Sequence, residues 1–342
     1  MADWLQKQWR GYSLWHIVLL PLSWVFYVLS ALRRALFRCG ILVRQKLAVP
    51  VIVVGNISVG GTGKTPLVIW LAAQLKLAGF KPGIISRGYG GVTGHITEVF
   101  ANSLADQVGD EPLLMARRTQ CPVFVGAHRV DAGRALLKAH PEVNVILSDD
   151  GLQHYRLKRD IEIAVLDAQR GFGNAQLLPA GPLRENIPRL NSVDAIVINK
   201  AGHSSPLKAS LLAPVFDMQL SGQKFISLLD GKTQQPPQFF TGKPLVAVAG
   251  IGNPQRFFDA LSQMGLVFER TNFQDHQPFS AQDLLAFAGK TILMTEKDAV
   301  KCEQFASGNA QYDIWVLPVS ANIDHELNAL VLRKLLTISK GK

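Results

Sequence analysis

With 342 residues, 48% of them hydrophobic and 18% charged, the chain carries enough apolar material for one large or two medium cores, which excludes a disordered protein. A formal net charge of +10 at pH 7 draws anionic partners, so acidic lipid head groups, phosphorylated compounds and nucleic acid all stay open on composition alone. Cys39, Cys121 and Cys302 lie far apart and in no metal-like spacing, which excludes a disulfide scaffold and a zinc site.

From Leu14 to Leu32 the sequence reads LWHIVLLPLSWVFYVLSAL, with no Asp, Glu, Lys or Arg between Arg10 and Arg33. That length is close to the ~20 residues of a spanning helix. A signal peptide, with Lys7 and Arg10 ahead of the apolar run, is disfavoured because GNISVGGTGKT (Gly55–Thr65), the glycine-rich pattern of a nucleotide-binding loop, follows at once and ATP is a cytoplasmic substrate. A spanning helix would hold the catalytic body inside through Arg33, Arg34, Arg38, Arg44 and Lys46. An interfacial helix is favoured. Ser13, His16, Ser23, Tyr27, Ser30, Arg34 and Arg38 form a narrow polar stripe on a broad apolar body, and Trp9, Trp15 and Trp24 suit the head-group layer. Residues 1–46 are therefore read as a membrane-anchoring segment.

From Pro50, strand-length apolar runs (Val51–Val54, Gly83–Ser86, Val143–Leu147, Ile161–Leu166, Ala195–Ile198) alternate with helix-length segments such as Pro66–Ala78 and Arg129–Ala139. The alternation predicts an α/β fold, a mostly parallel sheet flanked by helices, over residues 47–235, which the glycine-rich loop at Ser58–Thr65 makes P-loop NTPase-like. The stretch Thr233–Gly242, TQQPPQFFTG, reads as a linker. After it a strand at Leu245–Ala249, a Gly250-Ile-Gly252 turn and a helix from Pro254 predict a smaller C-terminal α/β lobe over 243–342.

The strongest motif is VIVVGNISVGGTGKTP, Val51 to Pro66, a strand running through a glycine-rich loop into a helix. Ser58, Val59, Gly60, Gly61, Thr62, Gly63, Lys64 and Thr65 form the expected cradle for ATP phosphates. Ser58 stands where the pattern usually opens with Gly, but three glycines remain. Lys64 would reach the β- and γ-phosphates and Thr65 would ligate Mg²⁺. Next along the chain, Arg87 in Ser86-Arg-Gly-Tyr-Gly-Gly91 follows a strand and is offered to a phosphate or lipid head group, with a mobile loop as the bland alternative.

Gly109-Asp110-Glu111-Pro112 precedes a helix-length run, so Asp110 is either a helix cap or the carboxylate base that phosphoryl transfer to a hydroxyl requires. Val143 to His154, VNVILSDDGLQH, is an apolar strand ending in Asp149 and Asp150, the arrangement that holds Mg²⁺ beside a P-loop; Gln153 and His154 then face the same crevice. Asn199-Lys200 faintly resembles a guanine-reading motif, but Gly202 replaces the Asp that would complete it, which favours ATP. In the second unit, Asp275 could orient His276 for catalysis, although a lone His is more often structural.

These stretches, with LPAGPLRE (Leu178–Glu185), QDHQPF and MTEKDAVKC (Met294–Cys302), resemble in order and over most of the chain the tetraacyldisaccharide 4′-kinase family of lipid A biosynthesis. The P-loop alone is generic; the ordered set is specific. The resemblance implies transfer of the ATP γ-phosphate, with Mg²⁺, to the 4′-hydroxyl of a tetraacylated glucosamine disaccharide 1-phosphate. It also implies work at the cytoplasmic face of a Gram-negative inner membrane, which makes the basic excess intelligible. Its base falls on Asp110 helped by His276, with Lys64 completing the catalytic set. Its paired aspartates fall on Asp149 and Asp150. Arg87, Glu111, Arg129, Gln153 and His154 are the candidates for the lipid. Gln274 stands where a small or apolar residue is expected before Asp275-His276, leaving the motif intact. The rival reading is a membrane-anchored P-loop NTPase that drives a protein partner. Nucleic acid ranks last, since no aromatic–basic stripe or known module is present.

Overall fold

A run such as Val51–Val54, β-branched at every position, buries both faces and is satisfied only inside a parallel sheet with helices above and below. The computed structural model describes residues 8–9, 11, 14–88, 91, 95–200 and 211–340. Lys7, Arg10, Ser13, Tyr89, Gly90 and Gly202, named above, lie outside the described residues.

The first strands are β1 (Val51–Gly55), β2 (Pro82–Ser86), β3 (Thr97–Val99), β4 (Val123–Val125), β5 (Val145–Asp149), β6 (Ile161–Asp167), β7 (Ala195–Asn199) and β8 (Val215–Ser221). They lie in the order 8-7-6-1-5-2-4-3, parallel except for β3 against β4. Helices α1 (Leu14–Arg38), α2 (Lys64–Leu77), α3 (Asp110–Thr119) and α4 (Arg129–Ala139) accompany them. Alternation along β1 divides the core. Ile52 and Val54 pack with Leu67 and Leu71 of α2 on one face, while Val51 and Val53 pack with Leu136 of α4 and Leu190 on the other.

A second sheet holds β9 (Phe225–Ser227), β10 (Gln234–Gln235), β11 (Leu245–Ala249), β12 (Glu269–Asn272), β13 (Thr291–Thr295) and β14 (Ile314–Leu317), in the order 10-9-14-13-11-12. Helices α5 (Pro254–Gln263) and α6 (Glu296–Ala306) belong to it. The chain then returns. β15 (Ser320–Ile323) pairs antiparallel with β8 and completes a nine-stranded first sheet, and α7 (His325–Lys340) buries Leu327, Val331 and Leu335 in the core beneath α2.

The division expected at residue 243 therefore differs from the sheets. The second lobe runs from Phe225 to Leu317, and residues 320–340 belong to the first. The expected linker is part of the small lobe, because its aromatic residues outweigh its Pro and Gln: Phe240 is fully buried with its ring 4.8 Å from Phe225. The two crossings between lobes are short and adjacent, Gly222 lying close against Leu317 and Pro318.

Helix α1 stands apart from both sheets. Leu14, Trp15, Ile17, Val18, Leu22, Trp24 and Val25 are exposed, whereas His16, Ser23 and Phe37 are buried. It is the one helix among the described residues long and apolar enough to cross a membrane. Part of its polar stripe, His16, Ser23 and Arg34, faces protein, while Tyr27 and Arg38 are exposed. Ser23 Oγ lies 2.9 Å from the Ala180 N–H that donates to it and 3.0 Å from the Leu177 carbonyl, and Arg34 donates to Asn186.

Candidate active site

The carboxyl end of β1, where the chain crosses first to one side of the sheet and later to the other, is the place at which such a sheet opens a binding crevice. There the loop after Gly55 runs into α2. Gly60 and Gly63 take φ of 98° and 97°, a left-handed conformation that a side chain would strain. The loop is braced from several directions. The buried Asn56 amide reaches toward the Gly60 carbonyl and Thr62 Oγ1, each at 3.4 Å, and Asn199 Nδ2 donates to the Thr62 carbonyl at 3.0 Å. The N–H of Val59 is taken by the Pro182 carbonyl at 2.9 Å, and Ser58 bridges to Leu183, so the turn aimed inward spans Gly60 to Gly63. Asn199 thus supports the phosphate loop, while Lys200 pairs with Asp217 at 2.7 Å.

Strand β5 lies beside β1 with Asp149 opposite Val54. Asp149 accepts from Ser86 Oγ at 3.0 Å through Oδ2, while Oδ1 is buried without a hydrogen-bond partner. Burial, then the charges of Glu111 and Asp150, push its carboxyl up to about 7. Asp150, at φ 46°, turns the other way and meets Lys64 at 3.4 Å and Arg184 at 3.0 Å. Burial opposes its charge, but Lys64 and Arg184 win and hold it well below the usual carboxylate range. Gln153 donates to the Asn56 carbonyl at 2.9 Å and to Glu185 at 3.2 Å, tying the phosphate loop to the Leu178–Glu185 segment. Arg129 is buried behind the strand tip, donating to the Gly126 carbonyl at 2.8 Å and reaching the Asp149 carbonyl at 3.5 Å. His154 is driven down to about 4 by burial and by Arg129, so it is neutral. Arg87 is exposed at the tip of β2.

The second lobe closes over this edge. Its Gly250–Asn253 turn meets the phosphate loop: a Cβ on Gly252 would lie 2.8 Å from Gly61 N and 3.1 Å from Asp275 Oδ2. Arg170, at the end of β6, lies over Gly60 and donates to the Gly252 carbonyl. On the other side α3 and α6 are joined by charge, with Glu111–Lys297 at 2.9 Å and Arg117–Glu303 and Arg118–Glu296 each at 2.5 Å. Asp110 is the first residue of α3 and the preceding Gly109 is its cap, so the carboxylate is not consumed in capping. It is 5% exposed, accepts the Glu111 N–H at 2.9 Å, and has both oxygens 3.1 Å from His276 Nδ1. Burial opposes the Asp110 charge; the His276 hydrogen bond with Lys297 and Lys301 outweighs it and holds the group below its ordinary value.

Comparison with known proteins decides the assignment. The profile of the tetraacyldisaccharide-1-P 4′-kinase family matches residues 15–336. Tetraacyldisaccharide 4′-kinases of Methylobacillus flagellatus and Aromatoleum aromaticum are 49% and 51% identical, covering 98% and 96% of this chain and 96% of each relative. A crystal structure of the Aquifex aeolicus enzyme, solved in complex with ATP, superposes with a TM-score of 0.79 at 28% identity over 94% of this chain and all of that one. The chain belongs to the tetraacyldisaccharide 4′-kinase family. It is a phosphotransferase of lipid A biosynthesis, and the reading as an NTPase that drives a protein partner is set aside.

In this 4′-kinase the residues fit a Mg²⁺ ion. The unpartnered, buried Asp149 Oδ1 and the Thr65 hydroxyl are hard oxygen donors beside the phosphate loop, of the kind that would hold Mg²⁺. Among the described residues no three-fold His, Cys, Asp or Glu cluster competes for a metal. The Asp150 carboxylate, held by Lys64 and Arg184, is already engaged. Several groups the motifs left without a role join the site: Arg170, Arg184, Glu185, Asn199, Lys297 and Lys301. Arg184 and Glu185 end LPAGPLRE, and Lys297 and Lys301 share a helix face at i and i+4 within MTEKDAVKC, but neither spacing says which partner the charge meets.

Proposed function

We propose that the cleft between the lobes transfers the γ-phosphate of ATP to the 4′-hydroxyl of a tetraacylated glucosamine disaccharide 1-phosphate, with Asp110 as the base. The observation that carries this reading is the Asp110–His276 contact at 3.1 Å, made between residues 166 positions apart on opposite lobes. A cap and a surface histidine have no reason to meet there.

The N–H groups from Gly60 to Gly63 receive the β- and γ-phosphates, and Lys64 adds its charge to them. Thr65 and Asp149 would hold Mg²⁺, which when bound neutralises phosphate charge. The acceptor hydroxyl comes to Asp110, which takes the proton as the new O–P bond forms. The bond from the γ-phosphorus to the β–γ bridging oxygen breaks, and ADP leaves with that electron pair. A carboxylate held low is a weak base, which suits a loose transition state in which the hydroxyl proton leaves late. Lobe closure keeps water from competing for the phosphoryl group. Arg87, Glu111, Gln153 and His154 are the side chains proposed to meet the lipid's sugar and 1-phosphate; Arg129 supports them from behind the Asp149 strand tip.

The apolar outer face of α1 and the basic run from Arg33 to Lys46 support anchoring at the cytoplasmic face of the inner membrane. Incubation with γ-labelled ATP and the disaccharide 1-phosphate should place one phosphate on the lipid. ATP hydrolysis that ignores lipid but rises with an added protein partner would overturn the proposal. Removal of residues 1–32 should release the protein from membranes; retention in the membrane fraction would point to another attachment surface.

A further inference from the structure

Lys297, the second residue of α6, is 15% exposed, and its ammonium lies at the centre of the catalytic pair's surroundings. It is 2.9 Å from Glu111 Oε1, 3.0 Å from Asp275 Oδ1, 3.4 Å from His276 Nε2 and 3.8 Å from Asp110 Oδ2. An ammonium group has protons and no lone pair. It meets a ring nitrogen only as a donor, so Nε2 must carry its lone pair and the ring proton must sit on Nδ1. That nitrogen faces both Asp110 oxygens. We infer that Lys297 is a positioning residue that fixes His276 in the Nδ1–H tautomer and so aims the ring's proton at Asp110. The inference rests on the dyad proposed above.

The groups facing the ring pull in different directions. Asp275 Oδ1, 3.7 Å from Nε2, is an acceptor that would draw the ring's proton to that nitrogen. Lys297 opposes this twice, as a cation beside Nε2 and by holding Asp275 Oδ1 itself. Lys301 also lies 3.8 Å from Asp110 Oδ2, but it is held by Asp298 at 3.0 Å and the Gly250 carbonyl at 3.3 Å, so its charge serves Asp110. Burial works against the Lys297 charge, yet Glu111, Asp110 and Asp275 hold the ammonium above the ordinary lysine range. His276 is at φ 63°, a left-handed conformation in which a non-glycine residue stays only when its surroundings hold it.

The test is nitrogen NMR of the full chain with ¹⁵N-labelled histidine, the His276 signals being identified by their loss in His276→Gln. The wild-type ring should show a protonated Nδ1 and a lone-pair Nε2. In Lys297→Met the proton should move to Nε2 or both nitrogens should be protonated. The kcat should drop about tenfold or more with KM for ATP unchanged. Lys297→Arg, which also donates and cannot accept, should keep the tautomer and most of the rate. A wild-type ring protonated on Nε2, or a Lys297→Met ring unchanged from wild type, overturns the inference whatever the rates. Should Lys297→Met not fold, the wild-type spectrum and Lys297→Arg still decide. Failure of the dyad itself would show separately, as Asp110→Ala and His276→Ala variants that keep their rate.

Discussion

The phosphate end of the cleft, Gly60 to Thr65 with Asp149, hangs on β1 and β5, adjacent strands of one sheet, whereas Asp110 and His276 come from different lobes. The first end is rigid because its supports are neighbours in the ladder and its loop is tied by Asn56, Asn199 and Pro182. The second end exists only while α3 and α6 stay side by side, held by Val300 packed in the first lobe's core and by charge pairs along the seam. Under the mechanism proposed above, one end is built within a single lobe and the other is complete only where the lobes meet, so closure would complete the catalytic set.

The sharpest way to break this contrast is at the assembled end. Asp110→Ala and His276→Ala should each lower kcat by ~10²–10⁴-fold with ATP affinity nearly unchanged. The double variant should be hardly worse than the poorer single, because the pair acts as a unit. Additive losses, or losses that follow melting temperature, would reduce Asp110 to a structural residue. At the rigid end, Lys64→Ala should cost ~10²-fold or more in turnover while the fold survives, since charge on the phosphates is lost and no core is opened. A variant retaining a tenth of the wild-type rate would remove the loop from the chemistry.

Asp149 offers a smaller effect with a definite sign. Its carboxyl, ordinarily at 3.8, is pushed up to about 7, so the native state keeps a proton that the unfolded chain has released. Stability from this group therefore falls as pH rises from about 4 to about 7. In metal-free buffer Asp149→Asn should match wild type near the acid end of that window and melt higher above it, by on the order of a few kcal/mol at most, while turnover is lost. A melting difference that does not grow with pH would mean the carboxylate is better solvated than its burial implies. The smallest effect belongs to the charge ladder. Arg117→Ala breaks the 2.5 Å pair with Glu303, both partly exposed, and should cost ~0.2–1 kcal/mol, less in salt. A loss of kcat larger than the loss of stability would show that this pair holds the lobes for catalysis.

The same contrast separates what the amino-acid order reveals from what it hides. The phosphate loop is contiguous, and its glycines and Lys64-Thr65 announce their chemistry by spacing alone. Each functional strand runs one or two residues past its apolar run, to Asp149, Asp167 or Asn199, because ladder bonding continues under a polar side chain. The return of β15 and α7 to the first lobe was hidden, since a helix with an apolar stripe does not name the core it covers. Thr233–Gly242 misleads because Pro and Gln read as linker while Phe240 is the anchor. The partners of Lys297 and Arg184 are set by how the lobes and the Leu178–Glu185 segment fold back, which no local pattern records.

Helix α1 turns His16, Ser23 and Arg34 to the protein and much of its aliphatic and Trp surface outward. Under the anchoring proposed above, enzyme and lipid share a surface, and their encounter becomes a search in two dimensions. Extracting a tetraacylated lipid into water would cost about 0.8 kcal/mol for every methylene uncovered. A kinase that lies on the bilayer leaves the acyl chains where they are and needs to grip only the part that stands in water. The segment receiving Ser23, Leu177 to Ala180, runs on to Pro182 and Leu183, which brace the phosphate loop. The attachment point is thus a short strap away from the nucleotide cradle, which under the anchoring proposed above would bring the cleft to the level of the sugar.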